Sequence, residues 1–160
     1  MVFRRLRVLD ARGFSLTDLL ITLVVMGIIA AIAWPYFDSF LKASRVKGAA
    51  QELATIINGA RQLAIARNTI VCMVLESNKA KYMLNTSAAC TGGTTYLGAV
   101  TKSDGTIQLA NSMQISGSTA NVVFTNLGNA STAATYTVRD PATNQTLNVV
   151  VAASGRVTIQ

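Results

Sequence analysis

The sequence predicts an α+β fold: a long, kinked N-terminal α-helix whose second half packs on an antiparallel β-sheet. Three observations predict it. An uncharged apolar run, LLITLVVMGIIAAIAW, spans Leu19–Trp34. Beyond it, Val46, Ala50, Leu53, Ile57, Ala60 and Ala64 recur at alternating steps of four and three, the spacing that lines one face of a helix. From Asn68 the texture changes to short β-branched runs separated by Gly, Asn and Pro turn signals, as in antiparallel strands.

Four segments follow from these textures. Residues 1–13 read as a basic leader, 14–35 as a hydrophobic transmembrane and assembly helix, 36–67 as an amphipathic helix and 68–160 as a β-rich domain. Of the 160 residues, 51% are hydrophobic and 13% charged. That is too apolar for a wholly solvated domain, and the excess is concentrated in the apolar run. Arg4, Arg5, Arg7 and Arg12 against Asp10 give the first thirteen residues a net of +3, so 7 − 3 = +4 remains for the rest. Positive charge just before an apolar segment places that end in the cytoplasm. The leader's charge therefore reads as an orientation signal and not as a nucleic-acid footprint.

Pro35 follows the apolar run and is expected to kink the helix. The period resumes after it, so one helix is expected from Phe14 to Arg67. Strands are expected at Thr69–Glu76, Ala80–Asn85, Thr94–Thr101, Thr106–Leu109, Asn121–Thr125, Thr135–Arg139, Leu147–Ala152 and Arg156–Ile159, the last three as a meander. The apolar stripe of the second helical half covers the sheet and closes a core.

Enzyme chemistry has little support. The chain has no His, which removes Ser-His-Asp and Cys-His arrangements, and two Cys alone make no closed zinc site. No phosphate-cradling glycine loop precedes a helix. No cofactor or metal is expected. Asp104 and Asp140 read as isolated turn residues. Cys72 and Cys90 can oxidise to one another outside the cytoplasm; an 18-residue separation would restrict the unfolded chain by roughly 3 kcal/mol. The alternative is two separate buried thiols, although Cys90 lies in a polar loop where a lone thiol packs poorly.

The functional constellation is Gly13-Phe14-Ser15-Leu16-Thr17-Asp18, followed by the apolar run. An acid inside a membrane helix costs about 2.5–3.5 kcal/mol on insertion scales, so it signals function. Cleavage after Gly13 would free an amine at Phe14, which could pair with Asp18 of a neighbouring chain and fix register. This segment resembles the prepilin signature of type IV pilins and type II secretion pseudopilins. The resemblance implies a prepilin peptidase that cuts after Gly13 and methylates Phe14. The fifth residue after the cut is usually glutamate in that family; here it is Asp18, one methylene shorter. Pro35 falls where the family often places its kinking proline. Subunits of this kind wait in the bacterial inner membrane, N-terminus cytoplasmic, and assemble with other pilin or pseudopilin subunits into a periplasmic or extracellular filament.

The stretch AQELATIINGARQLAIARNTIVCMV, Ala50–Val74, and the closing segment Leu147–Val157 resemble the GspH/FimT class of minor pilins and pseudopilins. That resemblance implies a low-copy role near the filament tip. Other readings are a DNA- or surface-binding minor pilin, a major pilin, and a secreted β-domain released after Ala33 by ordinary signal cleavage. DNA is not the favoured partner: Lys79, Lys81, Lys102, Arg139 and Arg156 read as scattered surface charge. Lys42, Arg45 and Lys47, just past the apolar run, read by default as a solvated helix face; acidic lipid head groups and acidic neighbours are the alternatives.

Overall fold

The computed structural model of the chain describes residues 15–76, 79–87, 89–99, 101–109, 113–117 and 121–160. Among the described residues one helix, α1 (Leu16–Arg67), precedes nine strands. They are β1 (Val71–Glu76), β2 (Lys79–Leu84), β3 (Thr94–Thr95), β4 (Thr106–Gln108), β5 (Gln114–Gly117), β6 (Asn121–Phe124), β7 (Ala134–Arg139), β8 (Thr146–Val151) and β9 (Val157–Ile159). The chain divides into two units, residues 1–39 and Phe40–Gln160.

The second unit holds the core. Its strands form two antiparallel sheets, not the one expected. The first has the order β3-β2-β1-β6, with β4 also pairing β2, and the second has the order β5-β7-β8-β9. The chain crosses between the two three times, from β4 to β5, back from β5 to β6, and last at the β6–β7 loop. There Phe124 bridges Ala130, Ser131 donates its N–H to Val123 O at 2.9 Å, and Ala130 N–H reaches Ala153 O at 3.0 Å. These bonds tie the edge of the first sheet to the turn between β8 and β9.

The helical stripe does what its spacing predicts. Val46, Ala49, Ala50, Leu53, Ile56, Ile57, Ala60 and Ala64 are all buried. Their sheet partners alternate as a pleated strand requires. Val71, Met73 and Leu75 of β1 enter the core, as do Ala134, Tyr136 and Val138 of β7, and Val149 and Val151 of β8. Four of the eight helical residues are alanines, so that face of the helix is low.

The helix ends by a recognisable mechanism. Asn68 is left-handed, with φ of 48°; its N–H bonds Ile65 O at 3.2 Å, and Thr69 N–H bonds Ala64 O at 3.1 Å. This paired arrangement is a Schellman cap with Asn in place of the usual Gly. It reverses the chain directly into β1.

Some boundaries differ from expectation. The Thr94–Thr101 strand shrinks to Thr94–Thr95, because Gly98 turns back beneath Tyr96 and Thr101, its hydroxyl accepting the Gly98 N–H at 2.8 Å. The strand β5 was not expected, since Gln-Ile-Ser-Gly carries one apolar residue. The expected helix start at Phe14 lies outside the described residues.

Two glycines give opposite expectations. Gly155 has φ of 78°, and a Cβ there would stand 2.0 Å from Gly128 O. Gly155→Ala should cost at least about 2 kcal/mol, from left-handed strain and overlap together. Gly48, on the helix, has nothing within 4 Å of its Cβ position; Gly48→Ala should gain about 0.5–1 kcal/mol from helix propensity. Urea midpoints of the full chain in detergent should move in opposite directions.

Candidate functional site

The sequence places the functional segment at the start of α1. Its chemistry is an exposed apolar helix with one acid in the first turn. Ser15 C=O accepts the first intrahelical bond, from Leu19 N–H at 3.2 Å, which makes Ser15 the N-cap. Asp18 then stands three residues into the helix, the place where a carboxylate is favoured by the free N–H groups and the helix dipole. This Ser-x-x-Asp spacing is a second, local reason for an acid at this position; the sequence carried it as a capping-box pattern. Gly13 and Phe14 lie outside the described residues.

From Leu16 to Phe40 the described side chains are all exposed, with Leu19, Val24, Ile28 and Ile32 each more than half exposed. The most apolar window of α1 has mean hydropathy 2.4, and none of it is buried. The helix is long and apolar enough to cross a membrane. Pro35 lies within α1; lacking an N–H, it leaves the Ala31 carbonyl without its helical donor.

The domain that follows is held by three local devices. First, Cys72 and Cys90 are bonded, with Cα atoms 5.6 Å apart. Cys72 alternates with the core residues Val71 and Met73, so it lies on the other face of the first sheet. It is fully buried there, beside Val123, which is 5% exposed. The disulfide thus pins the 85–93 loop, where Cys90 itself has φ of 58°, onto a sheet face the helix does not cover.

Second, Arg61 Nε donates to Gly128 O at 2.9 Å. Gly155 packs against that same carbonyl, so helix, β6–β7 loop and β8–β9 turn meet at one point. Third, the Tyr82 hydroxyl donates to Ile56 O at 2.7 Å. Burial pushes the Tyr82 hydroxyl up to about 12, so it stays a donor throughout the ordinary pH range. Gly59 provides the room, since a Cβ there would stand 2.9 Å from the Tyr82 oxygen. Tyr82, Tyr96, Ile56, Leu63 and Ile107 line an open groove of about 790 Å³ beside the helix.

Asp104 and Asp140 both sit in turns. Asp104 accepts from the Thr106 hydroxyl at 2.6 Å and the Thr106 N–H at 3.0 Å, which lower its pKa. Asp140 accepts from Ala142 N–H at 2.9 Å and the Thr143 hydroxyl at 3.0 Å. Those bonds, with the nearby Arg45 charge, hold its carboxyl below the usual range. Among the described residues no group of His, Cys, Asp or Glu could hold a metal ion.

The basic residues weighed for DNA do not form one patch. Arg139 ends β7 and holds Asn144, while Arg156 sits at the β8–β9 turn. In the β7–β8 register the β8–β9 turn lies beyond the Ala134–Val151 pair and Arg139 pairs with Thr146, so the two arginines stand at opposite ends of the second sheet.

Residues 49–155 match the family described as Type II transport protein GspH. The chain belongs to the GspH family. The match covers well over half of the chain and lies wholly outside the prepilin-like segment, so membership does not rest on that motif. No curated protein matches this GspH-family chain in sequence. Its fold is similar to the type IV minor pilin FimU of Pseudomonas aeruginosa, at 14% identity and TM-score 0.56, over 76% of this chain and 92% of that one. It is also similar to the minor pseudopilin EpsH from the Type 2 Secretion System of Vibrio cholerae, at 11% identity and TM-score 0.56, over 72% and 95%. The solution structure of E. coli GspH aligns at 12% identity and TM-score 0.56, over 73% and 88%. These likenesses establish the pilin-like α+β architecture.

Two outcomes test the domain's devices. Cys90→Ser should lower stability by about 3 kcal/mol and open the 85–93 loop to limited proteolysis, with Cys72 left as a buried thiol. For Asp140, a lowered carboxyl pKa contributes stability above the unfolded value and loses it as pH falls below about 4. Asp140→Asn should therefore flatten the acid limb of a stability–pH curve measured by urea unfolding.

Proposed function

We propose that this chain is a structural subunit of a filament, a minor pilin or pseudopilin, processed and assembled through its N-terminal helix. It works as a building block and not as an enzyme, in a type IV pilus or a type II secretion system. One observation carries the reading: a GspH-family domain preceded by an apolar helical stretch that its own chain leaves uncovered. Such a surface needs lipid or other apolar helices around it.

In this reading a prepilin peptidase removes residues 1–13 after Gly13 and methylates Phe14. Residues 14–35 then hold the subunit in the inner membrane, N-terminus cytoplasmic, and 36–67 carry the β-rich domain of 68–160 outside. On assembly the Phe14 amine meets an Asp18 carboxylate of a neighbour, and the apolar run moves from lipid to equally apolar helices. Pro35 loosens one helical hydrogen bond and lets the helix adapt to that packing. The Cys72–Cys90 bond suits a domain that matures beyond the cytoplasm. The likeness to minor subunits supports a low-copy place near the filament tip.

Intact-mass and N-terminal peptide analysis of the protein from its native membrane tests the reading. The expected mature chain begins at methylated Phe14. A chain beginning at Trp34, or one retaining residues 1–13, would overturn the assembly route.

A further inference from the structure

We propose that the basic end of the folded domain binds anionic phospholipid head groups, so that the waiting subunit is seated on the membrane surface by a collar of cations. The proposal rests on the membrane-held reading above and adds a binding site to it.

The collar is built from two elements. On α1, Arg45 and Lys47 are exposed and Lys42 is half-buried. At about 100° per residue, Arg45 and Lys47 lie roughly 200° apart around the helix. Val46, between them, faces the core at 2% exposure. The cations therefore flank the helix on both sides instead of forming a stripe along it. From the second sheet, β7 delivers Arg139, also exposed. The Asp140 loop brings it there. Asp140 is 6% exposed, spends its oxygens on Ala142 and Thr143, and feels the Arg45 charge. Arg139 in turn donates from Nε to Asn144 Oδ1 at 3.1 Å, and Asn144 N–H closes on Asp140 O at 2.9 Å. The hairpin end is thus held by its own hydrogen bonds, and its Asp140 lies near enough to Arg45 to feel that charge.

Charge balance favours an anion. Lys42, Arg45, Lys47 and Arg139 against Asp38 and Asp140 give 4 − 2 = +2. The shape selects a surface over a neighbouring helix. A partner helix lying along α1 would reach one flank only, whereas a plane of head groups crossing the helix meets Arg45, Lys47 and the hairpin together. The sequence order agrees. The apolar run ends in Trp34, and Tyr36, Phe37 and Phe40 follow, all exposed; tryptophan and tyrosine gather where bilayer meets water. Cations follow immediately, where phosphates would be. Each lysine or arginine at an anionic surface strengthens association about fivefold at low salt.

The full chain, reconstituted in phosphatidylcholine vesicles, is probed with spin-labelled phosphatidylglycerol and spin-labelled phosphatidylcholine. The fraction of motionally restricted label gives the relative affinity. Phosphatidylglycerol should be preferred about fivefold or more, falling to near parity at about 1 M salt. The variant Arg45→Gln/Lys47→Gln/Arg139→Gln should lose the preference. Arg156→Gln, at the other end of the sheet, should keep it.

Parity in the wild-type chain overturns the proposal, and this arm needs no variant to fold. A preference that survives in the triple variant also overturns it; if that variant then fails to enter filaments, the cations face an acidic neighbour instead. Trp34, the one tryptophan of the chain, separates this failure from that of the underlying reading. Quenching of Trp34 by brominated lipid with no phosphatidylglycerol preference leaves the membrane reading intact and removes the collar. Quenching by aqueous iodide, with release of the chain at alkaline pH, removes both.

Discussion

The folded domain depends on one seam, the low alanine-rich face of α1 pressed against the sheets. Ala49, Ala50, Ala60 and Ala64 have almost no exposed surface, with Leu53 and Ile57 filling the space between them. Small residues let a helix and a sheet approach closely, and close approach raises the dispersion energy of every neighbouring contact. It also lets side chains from the sheet reach the helix backbone, as Tyr82 does at Ile56 O. A larger residue at Ala60 or Gly59 would hold the sheets off and break that contact. The turn into β1 has the same origin, because Ala64, the last alanine of the seam, also accepts the capping bond from Thr69.

Two sheets must close over a single helix, and the closure is made at specific points. At the C-terminal end of α1, Arg61 holds the β6–β7 loop, and Gly155 lets the β8–β9 turn press on the same carbonyl. At the opposite end of the second sheet, the Asp140 loop lies within reach of the Arg45 charge. The first sheet has its outer face closed by the Cys72–Cys90 loop, a job no helix performs there. Short strands of two to six residues could not hold such an arrangement by ladder hydrogen bonds alone.

Local pattern made much of this legible. The helix was readable because its stripe has a strict three-four spacing, and β1, β7 and β8 because β-branched runs alternate into a core. The α+β class followed from those two textures. What failed was non-local. Splitting the strands into two sheets depends on which edges pair, and nothing in Asn121–Phe124 says that it pairs with β1 and leaves β7 to another sheet. The strand β5 has one apolar residue and is held by its partner β7, so no period announces it. Arg61 lies off the apolar stripe, as a solvated charge would, and only the position of Gly128 O reveals its use. In the candidate site, the acid and the apolar run were plain in sequence, because a charge beside uncharged helix is conspicuous. The role of Asp18 as the third residue after a serine cap was hidden by that more conspicuous reading.

The structure also explains why the first stretch of α1 is available to partners. The core of Phe40–Gln160 is complete without it. The helix residues that close that core run from Val46 to Ala64, and the apolar residues from Leu16 to Ile32 contribute nothing to it. Natural sequences do not keep so much exposed apolar surface without a use, since it invites aggregation. A helix apolar on all sides is suited to an environment that is apolar on all sides, lipid or a bundle of like helices. The seam needs a stripe and the exposed stretch needs a full cylinder, and the change from one to the other falls between Trp34 and Val46. That is where proline, aromatics and cations are gathered in sequence.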